Sequence, residues 1–558
     1  LKGKKDVRLD MRLRNYSPTT EDNSTTSTNH PIYRIGKVSF VTDYDVLKTN
    51  PSFGTANRDS MQIGDVKIFY KEHPFLRPKI LTQNVHFSTG DLYNAKKATT
   101  TYRSLGRMDA LKSVSIKYKP VQRGDSMLLD TYILLSPAKN KRVSLELEGT
   151  NSAGDFGAAV SATFQHRNLF HGSEHLMLKF RGAFEMISGL DQNIYQGDNF
   201  KEYSIESELT FPRFLFPFVS SNIRKRIQAS SVVNLKYDYQ LRPEFTRNIA
   251  SLGWGYKWRT NNGVQHRIDL IDLNFLYMPW ISDQFREDYL TEANSILAYN
   301  YEDRLILKCG YTYYYNSLNR KSALERNKRQ YYYTFRFSAE SAGNVLYGYS
   351  RLMNFRKNSN GEYELVNIPF AQYVKGEVDY ALNRPIDNRN SLAFHVAAGV
   401  AYPYGNAQMM PFEKRYFAGG ANSVRGWSVR ELGPGRFAGD GNFMNQSGDI
   451  KLEGSVEFRS KLFWKLHSAV FIDAGNVWTI RDYESQPGGC FAVDRFYKEI
   501  ALSYGLGLRF DFDYFVVRLD GGMKALNPIY PSGSDRWPVL HPDLGRDFTF
   551  HLAVGYPF

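Results

Sequence analysis

Arg425 is the residue whose surroundings point most directly to chemistry. It lies in Gly419-Gly420-Ala421-Asn422-Ser423-Val424-Arg425-Gly426-Trp427, a cation among small residues in a run with no hydrophobic period of its own. Such a run, set between alternating strands, reads as a surface loop, where an arginine is ordinarily solvated. Downstream, Phe471-Ile472-Asp473-Ala474-Gly475 carries a carboxylate at every-other-residue spacing from an aromatic and a glycine. An arginine loop folded back onto that carboxylate would be a pinned latch, because a buried charge has to be paired and hydrogen bonded. Val424, Arg425, Gly426 and Trp427 form the candidate latch, and the facing strand offers Asp473, Phe471 and Gly475.

Other reactive patterns are poor. There is no Gly-x-Ser-x-Gly elbow and no His-Glu-x-x-His. His166, His171 and His175 cluster but straddle a predicted turn, whereas zinc wants ligands converging from fixed elements. Gly433-Pro434-Gly435 and Gly439-Asp440-Gly441 lack the strand-helix context of a nucleotide loop. A barrel hydrolase with a Ser/His pair in reach stays open. The chain is read as a non-enzyme with no cofactor and no metal.

The elements that must position Arg425 and its partners are strands. From Val143 helical periods nearly vanish, and segments of about ten alternating residues recur between turns, the length a tilted transmembrane strand needs. They run from Val143–Thr150 to Asp547–Phe558 and total about sixteen, an even number that lets an up-and-down barrel close. Ile281–Glu292 reads as a short helical loop. In the last segment Phe548, Phe550, Leu552, Val554, Tyr556 and Phe558 share one face, opposite Thr549, His551, Ala553, Gly555 and Pro557. In 502–510 the even positions are apolar and their partners are Ser503, Gly505, Gly507 and Arg509. Large apolar groups on one face and glycines and charges on the other suit lipid outside and water inside. On that assignment Ile472 and Ala474 face lipid, while Phe471, Asp473 and Gly475 face inward. Leu452, Gly454, Val456 and Phe458 face out, and Glu453, Ser455, Glu457 and Arg459 face in. Asp473 and Glu457 then share the inner wall, and Arg425 is the cation to reach them.

Composition agrees with this class. The 558 residues include 38 Tyr, 38 Phe and 7 Trp, yet mean hydropathy is −0.46. Many aromatics without long apolar runs fit a membrane β-barrel, and no stretch of about 18 apolar residues offers a spanning helix. The formal net charge of +14 is spread along the whole chain. That suits a basic lumen or anionic lipid headgroups and argues against a nucleic-acid partner, whose footprint would be a clustered patch. Cys309 and Cys490 are read as unpaired thiols. Leu1 begins without a charged segment and apolar core, so a signal peptide is read as removed or as lying outside this sequence.

Ahead of the barrel, Val7, Leu9, Met11 and Leu13 alternate with charges, which predicts one amphipathic strand ending a preceding unit; a Thr/Ser/Asn-rich linker follows. The division is 1–31 for that remnant and linker, 32–138 for an α+β module and 139–558 for the barrel. The module reads as Tyr33–Phe40, Leu81–Phe87, a helix entered at Gly90-Asp91, then strands at Val114–Tyr118 and Leu128–Leu135. Its exposed strand edges could take extended clients by β-augmentation.

Taken together, the Val-Arg-Gly-aromatic loop, Phe471-x-Asp473-x-Gly475, Tyr504-Gly505-Leu506-Gly507-Leu508-Arg509-Phe510, Asn168-Leu169-Phe170-His171-Gly172 and the aromatic last strand resemble the BamA/TamA outer-membrane assembly family. The α+β module resembles a POTRA domain. Gly555-Tyr556-Pro557-Phe558 resembles the TamA-like branch found in Bacteroidetes. The resemblance implies a sixteen-stranded outer-membrane barrel with POTRA domains in the periplasm, more of them upstream than this sequence shows. It implies a factor that folds and inserts β-barrel or autotransporter-like clients. Carried over, Arg425 pairs with Asp473, with Glu457 as second candidate. The last strand pairs weakly with the first, giving a lateral seam lined by Leu145 and Leu147 on one side and by Phe550, Leu552, Val554, Tyr556 and Phe558 on the other. Pro557 either weakens that pairing or simply ends the strand. Implied partners are unfolded outer-membrane proteins, outer-membrane lipids and a periplasmic or inner-membrane-anchored assembly partner. The competing reading is a two-partner-secretion-type export pore. Such pores share the loop but add an N-terminal plug helix and two POTRA domains, and no amphipathic plug is evident in Leu1–Asn29. A passive porin would have no use for the arm.

Overall fold

The computed structural model describes residues 31–45, 55, 58–124, 126–152, 155–186, 199–216, 218, 220, 229–260, 262–290, 298, 299, 301–319, 331–439, 446–512 and 514–558. The strand expected at Val7–Leu13 and its linker lie outside the described residues. The chain divides into two compact units: 1–142 with 166–176 and 219–226, and the remainder.

The first unit holds β1 (Arg34–Val41), β2 (Asp59–Ile63), β3 (Val66–Tyr70), α1 (Pro78–Gln83), α2 (Ala95–Gly106), β4 (Leu111–Arg123) and β5 (Ser126–Pro137). The sheet order is β2-β3-β1-β5-β4, with β1 parallel to both β3 and β5. Ile35, Val38 and Phe40 of β1 pack with Leu81, Leu105 and Ile133 in one apolar core. Two details differ from the sequence expectation. The hairpin β2–β3 was not anticipated, because its first strand is short, polar and exposed. The helix is entered at Asn94, whose side chain accepts from the amides of Lys96 and Lys97, the N-cap pattern that satisfies orphan donors. Gly90-Asp91 forms the turn before it, and the Leu81–Phe87 segment carries the end of α1.

The second unit is a sixteen-stranded antiparallel β-barrel. Its strands are β6 (Lys141–Ser152), β7 (Asp155–His166), β8 (His175–Met186), β9 (Phe200–Phe211), β10 (Ala229–Leu241), β11 (Phe245–Arg259), β12 (Gln265–Ile281), β13 (Arg304–Asn316) and β14 (Tyr332–Ala342). After a small hairpin, β15 (Glu364–Leu365) and β16 (Ile368–Pro369), come β17 (Tyr373–Pro385), β18 (Asn390–Pro403), β19 (Ile450–Phe463), β20 (Leu466–Trp478), β21 (Ala501–Asp511), β22 (Val516–Leu526) and β23 (Phe548–Val554). The order runs from β23 to β6 in sequence neighbours, the meander expected of strands joined by hairpins. A helix, α3 (Asp283–Tyr289), occupies the Ile281–Glu292 connection, and α4 (Asn344–Leu352) follows β14. Among the described residues no helix is long and apolar enough to cross a membrane.

Alternation sets the two faces. Along β20, Val470 and Ile472 are exposed while Phe471 and Asp473 are buried; Ile472 is 59% exposed. Along β19, Val456 and Phe458 point out, and Glu453, Ser455, Glu457 and Arg459 are buried. Apolar side chains on the outside and charges within are the inverse of a water-soluble barrel.

Candidate functional site

The connection from β18 to β19, residues 404–449, carries the loop arginine. Val424 and Trp427 are buried in one apolar cluster with Ala418, Leu432, Val477 and Ala501, so the two side chains flanking Arg425-Gly426 anchor the loop. Its turn is closed by the Gly420 amide donating to the Trp427 carbonyl at 2.9 Å and by the Gly419 amide donating to Ser423 Oγ at 3.1 Å. The Ser423 hydroxyl donates to Glu453 of β19.

Arg425 is 1% exposed. Its Nε donates to Asp473 Oδ2 at 2.8 Å and its Nη2 to Asp473 Oδ1 at 2.7 Å, a bidentate pair. Nη1 donates to Glu457 Oε2 at 2.6 Å, and the Arg425 amide reaches Asp473 Oδ2 at 3.1 Å. The guanidinium carbon lies 3.4 Å from the centroid of the Phe471 ring, close enough for a cation–π contribution. Planar fork geometry on one carboxylate and ring stacking on one face are what arginine offers and lysine does not.

Three further arginines complete the wall. Arg459 Nε donates to Glu457 Oε1 at 2.8 Å, and Arg509 Nη2 to Glu457 Oε2 at 3.3 Å. Asp520 of β22 accepts from Arg509 Nη1, and its Oδ2 lies 3.4 Å from Arg518 Nη1 and 3.8 Å from Arg425 Nη1. Arg518 also donates to the Ala421 carbonyl at 2.9 Å. The charges Arg425, Arg459, Arg509 and Arg518 against Glu457, Asp473 and Asp520 sum to +1, and all seven are buried. A buried set like this is costly unless its geometry is good, and breaking one member leaves a stranded charge. It contains no nucleophile paired with a base. What it can do is hold a loop.

The loop backbone reaches the next strands over. His551 Nε2 lies 3.0 Å from the Arg425 carbonyl, and Thr549 Oγ1 donates to the Gly426 carbonyl at 3.0 Å. This approach needs Gly522: a Cβ there would lie 2.0 Å from the Arg425 carbonyl oxygen.

The remaining predicted residues divide. Gly475 does not touch Arg425. It pairs with Glu453, and a Cβ on it would lie 2.7 Å from the Leu452 carbonyl, so its role is close strand approach. Leu145 and Leu147 of β6 are 76% and 85% exposed. Phe550, Leu552 and Val554 are exposed on β23. Tyr556 and Phe558 depart from the expectation that they continue the outer face. The strand stops at Val554, Gly555 adopts φ +91°, and the chain turns onto inward-facing side chains. The Arg459 guanidinium lies 4.5 Å from the Tyr556 ring and 5.3 Å from the Phe558 ring, and His395 stacks on Phe558 at 5.0 Å between centroids. Pro557 therefore lies beyond the strand rather than within it.

Asp520, Arg518, Thr549 and His551 had not been assigned to the site. The alternation that places Asp473 inside places them there too, but their meeting Arg425 depends on register, which a single sequence does not specify. The three histidines are separate structural contacts in the first unit: His171 Nδ1 lies 3.3 Å from the Phe75 carbonyl and His175 Nδ1 3.5 Å from Asp109, while His166 Nδ1 accepts from the Asn168 amide. Among the described residues no group of three or more metal-type side chains converges. Cys309 and Cys490 are unpaired.

The sequence pattern of the Omp85 superfamily domain matches residues 191–537. The outer membrane protein assembly factor BamA of Neisseria meningitidis serogroup B (strain ATCC BAA-335 / MC58) is 29% identical over 105 residues, which is 18% of this chain and 13% of that relative's length. Among solved structures, BamA from Haemophilus ducreyi lacking POTRA domains 1–3 superposes with a TM-score of 0.55 at 14% identity, covering 97% of this chain and 88% of that one. CdiB from Acinetobacter baumannii gives a TM-score of 0.46 at 11% identity, covering 98% of this chain and 94% of that one.

Proposed function

We propose, from the premise that the chain belongs to the Omp85 superfamily, that it is an outer-membrane assembly factor that folds and inserts β-barrel clients at a lateral seam between β6 and β23. The superfamily is one of outer-membrane insertion and export proteins that handle unfolded polypeptides. Within it, the observation that favours insertion is the mismatch of the two strands that end the sheet order. β6 spans twelve residues and β23 seven, and among the described residues the one ladder formed by β23 is with β22. A short end strand leaves backbone donors and acceptors on its longer neighbour, and unpaired strand edges template other strands.

In this reading a client strand adds to the free backbone of β6, the membrane beside the short strand is thinned and lowers the insertion cost, and the arginine latch holds the loop against the inner wall. No covalent step is involved. The α+β unit acts as a periplasmic POTRA arm that delivers clients or docks an assembly partner, and the basic surplus meets anionic lipid headgroups.

The test is reconstitution. Purified full-length chain in vesicles of outer-membrane lipid composition should speed the appearance of a protease-resistant, folded client barrel from a urea-denatured precursor. Folding no faster than in empty vesicles would overturn the reading.

A further inference from the structure

Residues 425–426 touch two groups of strands at once. The Arg425 side chain is held by Asp473 of β20 and Glu457 of β19, at 2.7 and 2.6 Å. The carbonyls of Arg425 and Gly426 are engaged by His551 and Thr549 of β23, each at 3.0 Å. Between them lie β22 and β21, crossed by the loop at small residues: a Cβ on Gly522 would meet the Arg425 carbonyl, and one on Gly426 would lie 2.7 Å from Ser503 Cβ. His551 pairs in register with Asp520, and Thr549 with Gly522, so the two side chains that hold the loop sit beside the residue closest to its backbone.

We propose that Thr549 and His551 are positioning residues that tie the last strand to the loop arginine, so that β23 leaves the seam only when Arg425-Gly426 lets go of it. The physical reason is that, among the described residues, β23 is paired along one edge only. β23 has seven ladder positions on β22 and no ladder to β6 among the described residues. Two side-chain hydrogen bonds to buried carbonyls are a large share of what fixes so short a strand, and losing both strands two acceptors away from water. A carbonyl held this way is also sensitive to the arginine: if Arg425 withdraws from Asp473, its own carbonyl shifts with it. The latch and the seam are then one mechanical unit. This inference rests on the seam reading above for its use, but not for its geometry.

The test uses the full chain with Cys309 and Cys490 replaced by serine, spin-labelled at Leu145→Cys and Leu552→Cys, in lipid vesicles. The variants are Thr549→Val with His551→Leu, and Thr549→Ser with His551→Gln, the second pair keeping a donor at each position. The first pair should broaden the inter-label distance distribution toward longer separations, with the separated population rising roughly tenfold as two hydrogen bonds are lost. The conservative pair should restore the parent distribution. Arg425→Gln should broaden it as well, although Arg425 lies in the β18–β19 connection and on neither labelled strand. An unchanged distribution in the Val/Leu protein, with the barrel folded by gel mobility, overturns the inference even if vesicles still insert clients. A broadened distribution without client insertion leaves the coupling standing and removes the insertase reading instead.

Discussion

The Phe471 ring centroid lies 3.4 Å from the Arg425 guanidinium carbon, and the same guanidinium is held edge-on by Asp473 through two hydrogen bonds of 2.8 and 2.7 Å. One side chain thus offers its face to an aromatic and its edge to a carboxylate, which fixes it in every direction a flexible arginine can swing. Arg425→Ala should cost about 3–5 kcal/mol, because Asp473 and Glu457 stay buried without their cation. Arg425→Lys should recover only part of that, since an ammonium neither forks nor stacks. The shift in the temperature at which the barrel loses its folded gel mobility measures both, and equal stability of all three proteins would refute the assignment.

Gly522 tests the backbone side of the same contact. Alanine there would place a methyl carbon 2.0 Å from the Arg425 carbonyl, against backbone that cannot rotate away. Gly522→Ala should displace the loop and expose residues 421–430 to protease, with no charge altered. Cleavage as slow as in the parent would mean that the loop does not rest on β22.

The turn at Gly555 controls where the last residues go. Its φ of +91° is strained for a side chain, and β-branched residues suffer most, with a cost of order 1–3 kcal/mol. Gly555→Val should release Tyr556 and Phe558 from Arg459 and His395. A cysteine at position 558 should then react with a water-soluble maleimide several-fold faster than in the Gly555 background.

In the first unit, the ammonium of Lys97 hydrogen bonds Asp91 at 2.8 Å and, with the Ser88 amide, holds its carboxyl below the ordinary carboxylate range. A depressed folded-state value means that the contribution is present above the unfolded pKa, about 3.9, and is lost as pH falls through the lower folded value. Backbone hydrogen exchange of residues 95–106 in the full chain, corrected for intrinsic rates, should therefore accelerate below about pH 4. Asp91→Asn should be faster at neutral pH and flatter with pH.

Alternation along β19, β20 and β21 was enough to read which charges face inward, because a period of two leaves each residue only two faces. That put Asp473 and Glu457 on one wall and made Arg425 their partner by charge. It could not place Arg509 on Glu457, since β21 reaches β19 across β20 in a register that no single sequence reveals. The reach of His551 to the Arg425 carbonyl was hidden for the same reason. Tyr556 and Phe558 misled because they keep the period of β23, while the left-handed turn at Gly555 breaks the strand without breaking the pattern. The β2–β3 hairpin escaped because an exposed, polar, five-residue edge strand has no apolar period to read.

For a client to enter, β23 and β6 must be free to move relative to each other. The direct measurement is client assembly in cells expressing the chain with Leu145→Cys and Leu552→Cys as its sole cysteines. Oxidation should join the two strands, stop the appearance of new folded outer-membrane barrels and let unfolded precursors accumulate, with recovery on adding reductant. Unchanged client assembly while the cross-link is complete would contradict it.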